Sequence, residues 1–266
     1  MRGALVGGEM SCRVCGFPQD EPIWGPDGQS PTYDICACCG CEFGYEGCLP
    51  EAIGRHREKW LAGGAWLNAA KRPENWNKED QLRKLPRFYF RVLPGLPGTG
   101  SPPVVFNLTG TSVHSEGFVV EFICASGKTW VGNFQVGLGG ASGVMVVLGR
   151  TDQALVLARG QAYVLEPETC ALVRAFGGQI TEALRLPGRE AIVLGNGLWF
   201  ECIDPAGLRW RTRRISWDGM VEVFLHGDTL GGRAFNPIGD TWMPFEVNID
   251  TGEVTGGSYP PELPQT

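Results

Sequence analysis

Histidine is scarce in this chain of 266 residues: only His56, His114 and His226 occur, and no two of them stand at the spacing of paired metal ligands. A catalytic zinc of the usual kind, which uses histidine, a carboxylate base and an open position for water, therefore has no support in the sequence. Each histidine reads first as an ordinary surface or packed side chain, with His56 the one placed to support a nearby metal site. Also missing are a nucleophile elbow, a phosphate-cradling glycine loop, a dinucleotide fingerprint and an HExxH pair. Gly137-Leu-Gly-Gly140 and Gly231-Gly232 read as turns, and Asp218, Asp240 and Asp250 are each followed at once by Gly or Thr, which is turn chemistry. The expectation is a protein that is not an enzyme.

Long apolar runs and surplus positive charge are absent as well. No run approaches the roughly 20 residues that a membrane-spanning helix needs, and residues 1–10 lack the apolar stretch of a secretory signal. Residues 1–9 carry no pattern and read as a disordered leader, with Met10 a candidate start. The net charge of −6 gives no general attraction to nucleic acid or an anionic membrane. A cytoplasmic location is expected, and there the ten cysteines would stay reduced and free for metal.

Those cysteines carry the strongest signal. Cys12-Arg-Val-Cys15-Gly16 and Cys36-Ala-Cys-Cys39-Gly40 each have the form of a metal-binding knuckle. Two intervening residues let both thiolates reach one ion from a tight turn, and the following glycine tolerates the bend. The expected ligands are Cys12, Cys15, Cys36 and Cys39 around one structural zinc, with no position left for water; a redox pair or disulfides would be the competing reading. A frame using Cys38 and Cys41 keeps the same gap, but Cys41 is followed by Glu42 instead of glycine. A segment this small must rely on the metal to fold.

Four segments follow from composition. Residues 10–48 read as the zinc ribbon, with turn-rich connectors at 24–31 and a short strand at 33–35. Residues 49–92 read as a helical extension: Pro50 starts a helix in which Ile53, Trp60 and Leu61 share a face, and Asn77 caps a second one over 78–85. Trp60, Trp66 and Trp76 are its core anchors. Residues 93–103 alternate proline with glycine and read as a linker. Residues 104–258 change to short β-type runs, at 104–108, 118–123, 129–136, 144–148 and onward.

A weak repeat sharpens the last segment. Residues 155–164 align with 192–201 at an offset of 37, placing Gly160 over Gly197 and Tyr163 over Phe200, and 172–176 and 208–212 supply a further strand to each copy. Such a period fits a propeller blade, with room for about four units. The expected fold is mainly β: a small zinc ribbon, a short helical extension and an antiparallel β-repeat, propeller-like domain. A two-sheet sandwich is the alternative.

Two resemblances bear on these segments. Residues 12–46, ending Ile35-Cys-Ala-Cys-Cys-Gly-Cys-Glu-Phe-Gly-Tyr-Glu46, resemble bacterial cysteine-rich zinc ribbons of the CPCC type, and Trp60-Leu-Ala-Gly-Gly-Ala-Trp66 with Pro73-Glu-Asn-Trp76 resembles the helical extension often attached to them. Ala37 replaces the common proline, and Cys38, Cys41 and Cys48 are additional. Some proteins with such domains resemble immunity proteins of toxin systems, so the resemblance implies a protein partner, with a toxin as the concrete case. Residues 162–176, and Phe245-Glu-Val-Asn-Ile-Asp-Thr-Gly-Glu-Val254, are similar in style to quinoprotein-type β-propeller repeats. That likeness carries over no cofactor.

Charge separates the remaining function classes. Residues 12–47 hold Asp20, Glu21, Asp27, Asp34, Glu42 and Glu46 against Arg13 alone, which opposes phosphate binding. The helical segment is basic, and a strip there could face phosphate, although docking against an acidic surface explains it more simply. Leu208-Arg-Trp-Arg-Thr-Arg-Arg214 is the densest recognition candidate; strand alternation would place Arg209, Arg211 and Arg213 opposite Trp210, Thr212 and Arg214, and a core Trp210 beneath solvated arginines is the simpler reading. Non-covalent protein–protein recognition is the expected function. A zinc-ribbon adaptor binding nucleic acid is the alternative.

Overall fold

The computed structural model describes residues 10–24, 30–63, 66–83, 85, 87–108, 116–124, 126–146, 152–186, 189, 191–204 and 206–264. The expectations for residues 1–9, the 25–29 connector, Gly64, Lys84, His114 and 147–148 fall outside these.

Helix α1 (Pro50–Gly63) starts at the expected proline and buries Ile53 and Trp60, seven residues or nearly two turns apart. Leu61 does not join that face and is 38% exposed, because an eighth residue rotates about 80° off the stripe. Helix α2 (Lys78–Arg83) is capped as expected, the Asp80 amide donating to Asn77 Oδ1 at 3.0 Å. Trp60, Trp66 and the half-buried Trp76 pack into one core with the cysteines of the N-terminal segment.

Helical structure stops well before residue 92. Strand β1 (Phe88–Leu93) is the sequence Phe-Tyr-Phe-Arg-Val-Leu, whose aromatic and β-branched side chains suit a pleated surface better than a helix. It opens the first of four four-stranded sheets, ordered β1-β3-β4-β2, with β2 (Val104–Phe106), β3 (Phe118–Cys124) and β4 (Thr129–Phe134). Of the expected linker at 93–103, residue 93 ends β1 and residues 94–103 consequently join two strands of one sheet. Strand β2 runs parallel to β4, and the other pairings of this sheet are antiparallel.

The next three sheets are antiparallel meanders in chain order. The second contains β5 (Gly143–Val146), β6 (Ala154–Ala158), β7 (Gln161–Glu166) and β8 (Ala171–Gly177). The third contains β9 (Glu182–Arg185), β10 (Ile192–Gly195), β11 (Phe200–Asp204) and β12 (Gly207–Arg211). The fourth contains β13 (Met220–His226), β14 (Thr229–Asn236), β15 (Thr241–Asn248) and β16 (Val254–Gly256).

Alternation along β6 explains how consecutive sheets meet. Val156 packs into a core with Phe122, Trp130 and Phe134 of the first sheet, whereas Leu155 and Leu157 share a core with Ile192, Leu194 and Ile203 of the third. Both faces of β6 are therefore covered, and all five of its residues are buried. A further core joins Val193, Phe200, Cys202 and Trp210 of the third sheet to Leu230, Phe245 and Val247 of the fourth. The 37-residue repeat is visible in these sheets: Gly160 and Gly197 turn with φ of 84° and 83°, and Tyr163 and Phe200 are both fully buried.

The arginine-rich segment at 208–214 is mostly consumed internally. Trp210 is buried and its Nε1 donates to the Ile249 carbonyl at 3.0 Å. Arg211 pairs with Glu201, Arg213 donates to the carbonyls of Gly256 and Tyr259, and Arg214 donates to those of Ser216 and Trp217. The strand ends at Arg211, so the alternation that would align Arg213 with Arg209 does not continue.

Candidate metal centre

Two matching turns build the N-terminal segment. In the first, the Gly16 amide donates to the Cys12 carbonyl at 2.7 Å and the Cys12 amide donates to Phe17 at 3.0 Å. In the second, the Gly40 amide donates to Cys36 at 2.9 Å and the Cys36 amide donates to Cys41 at 2.8 Å. Gly16 and Gly40 have φ of 75° and 73°, a left-handed conformation that side chains resist. The expected strand at 33–35 is reduced to one bridge, Ile35 to Glu42, mirrored by Ser11 to Pro18 in the first turn.

These turns bring the sulfurs of Cys12, Cys15, Cys36 and Cys39 within 4.8 Å of one another. Cys12 Sγ lies 3.6 Å from Cys39 Sγ, and Cys15 Sγ lies 3.6 Å from Cys36 Sγ. A disulfide would require about 2.05 Å. A tetrahedral metal with arms of about 2.3 Å to sulfur requires edges of about 3.8 Å. The four cysteines can thus hold one metal ion, and they are the only such group among the described residues.

Cys38, Cys41 and Cys48 are not among these four, although the Cys38 thiol interacts with Cys15 and the Cys41 thiol with Cys12. Cys38 is buried and its sulfur accepts from Gln81 Nε2 at 3.5 Å, Cys41 Sγ donates to the Glu42 carbonyl at 3.7 Å, and Cys48 is exposed. Within the cluster the thiols perturb one another strongly. Hydrogen bonds from Cys15, Cys36, Cys39 and Cys41 hold the Cys12 thiol far below the ordinary range, while contact with Cys12 pushes Cys15 and Cys39 far up. Four adjacent sulfurs cannot all ionise unaided; a divalent cation permits it and displaces the remaining protons.

Neighbouring elements fix the two turns. His56 Nε2 lies 2.9 Å from the Cys39 carbonyl oxygen, and Arg57 donates to the carbonyls of Val14 at 2.8 Å and Arg13 at 2.7 Å, so successive residues of α1 hold one turn each. Arg57 also contacts the Tyr89 hydroxyl of β1. Gln81 on α2 donates to the Cys15 carbonyl and accepts from Trp76 Nε1. The roles of Arg57 and Gln81 had no signature in sequence, since both lie in charged stretches that read as solvated faces. His226 lies on β13 of the fourth sheet and is exposed.

No family model matches the chain, and no curated protein matches it significantly. Among solved structures it is similar to one described as "Crystal structure of the eukaryotic initiation factor", with 10% identity and a TM-score of 0.32 over 53% of this chain and 40% of that one. No helix among the described residues is long and apolar enough to cross a membrane.

Proposed function

We propose that this is a non-enzymatic, cytoplasmic zinc-binding protein of bacterial type that acts by protein–protein recognition, its N-terminal segment a structural zinc ribbon and its β body a propeller-like arc. The carrying observation is the closed set of four sulfurs: Cys12, Cys15, Cys36 and Cys39 would complete a tetrahedral zinc and leave no position for substrate or water. Zinc suits this donor set because thiolate softness and tetrahedral preference coincide. Its chemistry here is cross-linking: it joins two turns that otherwise share only a small core. The three consecutive antiparallel meanders, each packed on the next, support the propeller-like reading of the β body.

A ribbon fixed in this way presents surface, and recognition of a protein is the role that surface supports; a toxin is the concrete partner implied by the sequence resemblance. Nucleic-acid binding is the second reading, favoured by Arg55 and Lys59 on α1, which have no ion-pair partner among the described residues. Affinity capture from the native host, with nuclease treatment and a salt series, separates the two. A stoichiometric protein partner that survives nuclease supports the first reading. Recovery of nucleic acid whose retention collapses with salt, or recovery of no partner, overturns it.

A further inference from the structure

Helix α1 places Ala52, Arg55 and Lys59 on one side, facing Tyr45 and Leu49 of the turn after the second knuckle, and together they line an open groove of about 370 Å³. Five of the ten cations of the helical segment are engaged elsewhere. Arg57 holds the first knuckle, Arg72 lies over Trp76, Lys78 donates to the Leu61 carbonyl, Arg83 pairs with Asp80, and Arg91 pairs with Glu121. Arg55 and Lys59 have no partner among the described residues, and Glu51 and Glu58 on the same helix form no ion pair with them. The groove's own acid, Glu46, is engaged by the Glu42 amide at 2.9 Å.

Apolar surface lies opposite this charge. Tyr45 and Leu49 are 73% and 57% exposed and line the same groove as the two cations. We propose that the groove docks an acidic, aliphatic peptide segment of a partner protein, its carboxylates on Arg55 and Lys59 and its aliphatic side chains on Tyr45 and Leu49. The inference rests on the protein-recognition reading and deepens it. Two cations next to a leucine fit alternating acidic and apolar side chains. They do not make a phosphate-tracking strip, since a nucleic-acid backbone needs a longer row of cations than Arg55 and Lys59 supply. His56, which lines the groove and reaches the Cys39 carbonyl, ties the site to the metal-bearing turn.

The test is fluorescence anisotropy on the zinc-loaded full chain with three labelled probes: a decapeptide alternating Glu and Leu, its Lys and Leu counterpart, and an oligothymidine. The acidic peptide is expected to bind, with affinity falling as salt rises from roughly 50 to roughly 300 mM. The double variant Arg55→Glu with Lys59→Glu should lose at least about tenfold in that affinity and gain affinity for the Lys and Leu peptide, with zinc content and circular dichroism unchanged. No binding of the acidic peptide, equal binding by the variant, or preference for oligothymidine overturns the inference. A partner captured from the host equally well by the variant would overturn the groove assignment alone and leave the protein-recognition reading standing.

Discussion

The side-chain amide of Gln81 donates to the backbone carbonyl of Cys15 at 2.7 Å, spanning from helix α2 to the first metal-binding turn. The same side chain accepts from Trp76 Nε1 at 2.6 Å and approaches Cys38 Sγ, so a buried amide has its main valences filled. Gln81→Leu keeps similar bulk but strands the Trp76 donor and the Cys15 acceptor. The expected cost is about 1–3 kcal/mol, read as a lower melting temperature and faster loss of metal to a chelator.

The two glycines that follow the knuckles are not equivalent. Alanine at either position must adopt a left-handed φ, at roughly 1–2 kcal/mol. At Gly16 the added Cβ would also stand 3.1 Å from the Gln81 carbonyl oxygen, whereas at Gly40 it would meet Leu67 Cδ2 at an ordinary 3.6 Å. Gly16→Ala should therefore destabilise the ribbon more than Gly40→Ala, as measured by thermal denaturation followed through tryptophan fluorescence.

Glu182 opens β9 with its carboxyl against Gly195 and a hydrogen bond from Thr181. Burial raises its pKa above the ordinary carboxylate range, and the Thr181 hydroxyl offsets only part of this. A raised folded-state pKa contributes stability below the unfolded value and loses it as pH rises through the folded one. Glu182→Gln should consequently raise the melting temperature at neutral pH, with the gain vanishing under acid conditions where both states are protonated.

Asp250 behaves in the opposite sense. Arg189 donates to both of its oxygens and also to Asp228, linking the third sheet to the fourth. The guanidinium holds the Asp250 carboxyl below its usual value, so its contribution is present at neutral pH and is lost as pH falls through the lowered value. Asp250→Asn should lower stability at neutral pH, and its curve should merge with that of the parent in acid. A constant difference across pH would contradict this.

Periodic features were legible in the sequence because local chemistry dictates them. Gly160 and Gly197 marked the hairpin turns, Tyr163 and Phe200 the buried strands, and the paired cysteines the converging sulfurs. The aromatic run at 88–93 carried a strand signal too, but the helical extension expected at 49–92 takes in most of it, and pairing with β3 makes it a strand. Features built on backbone acceptors stayed invisible. Arg213 and Arg214 looked available for a partner because the carbonyls of Gly256, Tyr259, Ser216 and Trp217 that accept from them are brought together only by the fold. The same holds for Arg57 and Gln81, whose acceptors lie in the turns at residues 12–16.

The most direct measurement is the metal content of purified chain, by mass spectrometry of the elements, for the parent and for Cys12→Ser with Cys39→Ser. About one zinc per parent chain is expected, lost in the variant. A parent chain without stoichiometric zinc, or a variant that keeps it, would contradict the four-sulfur centre.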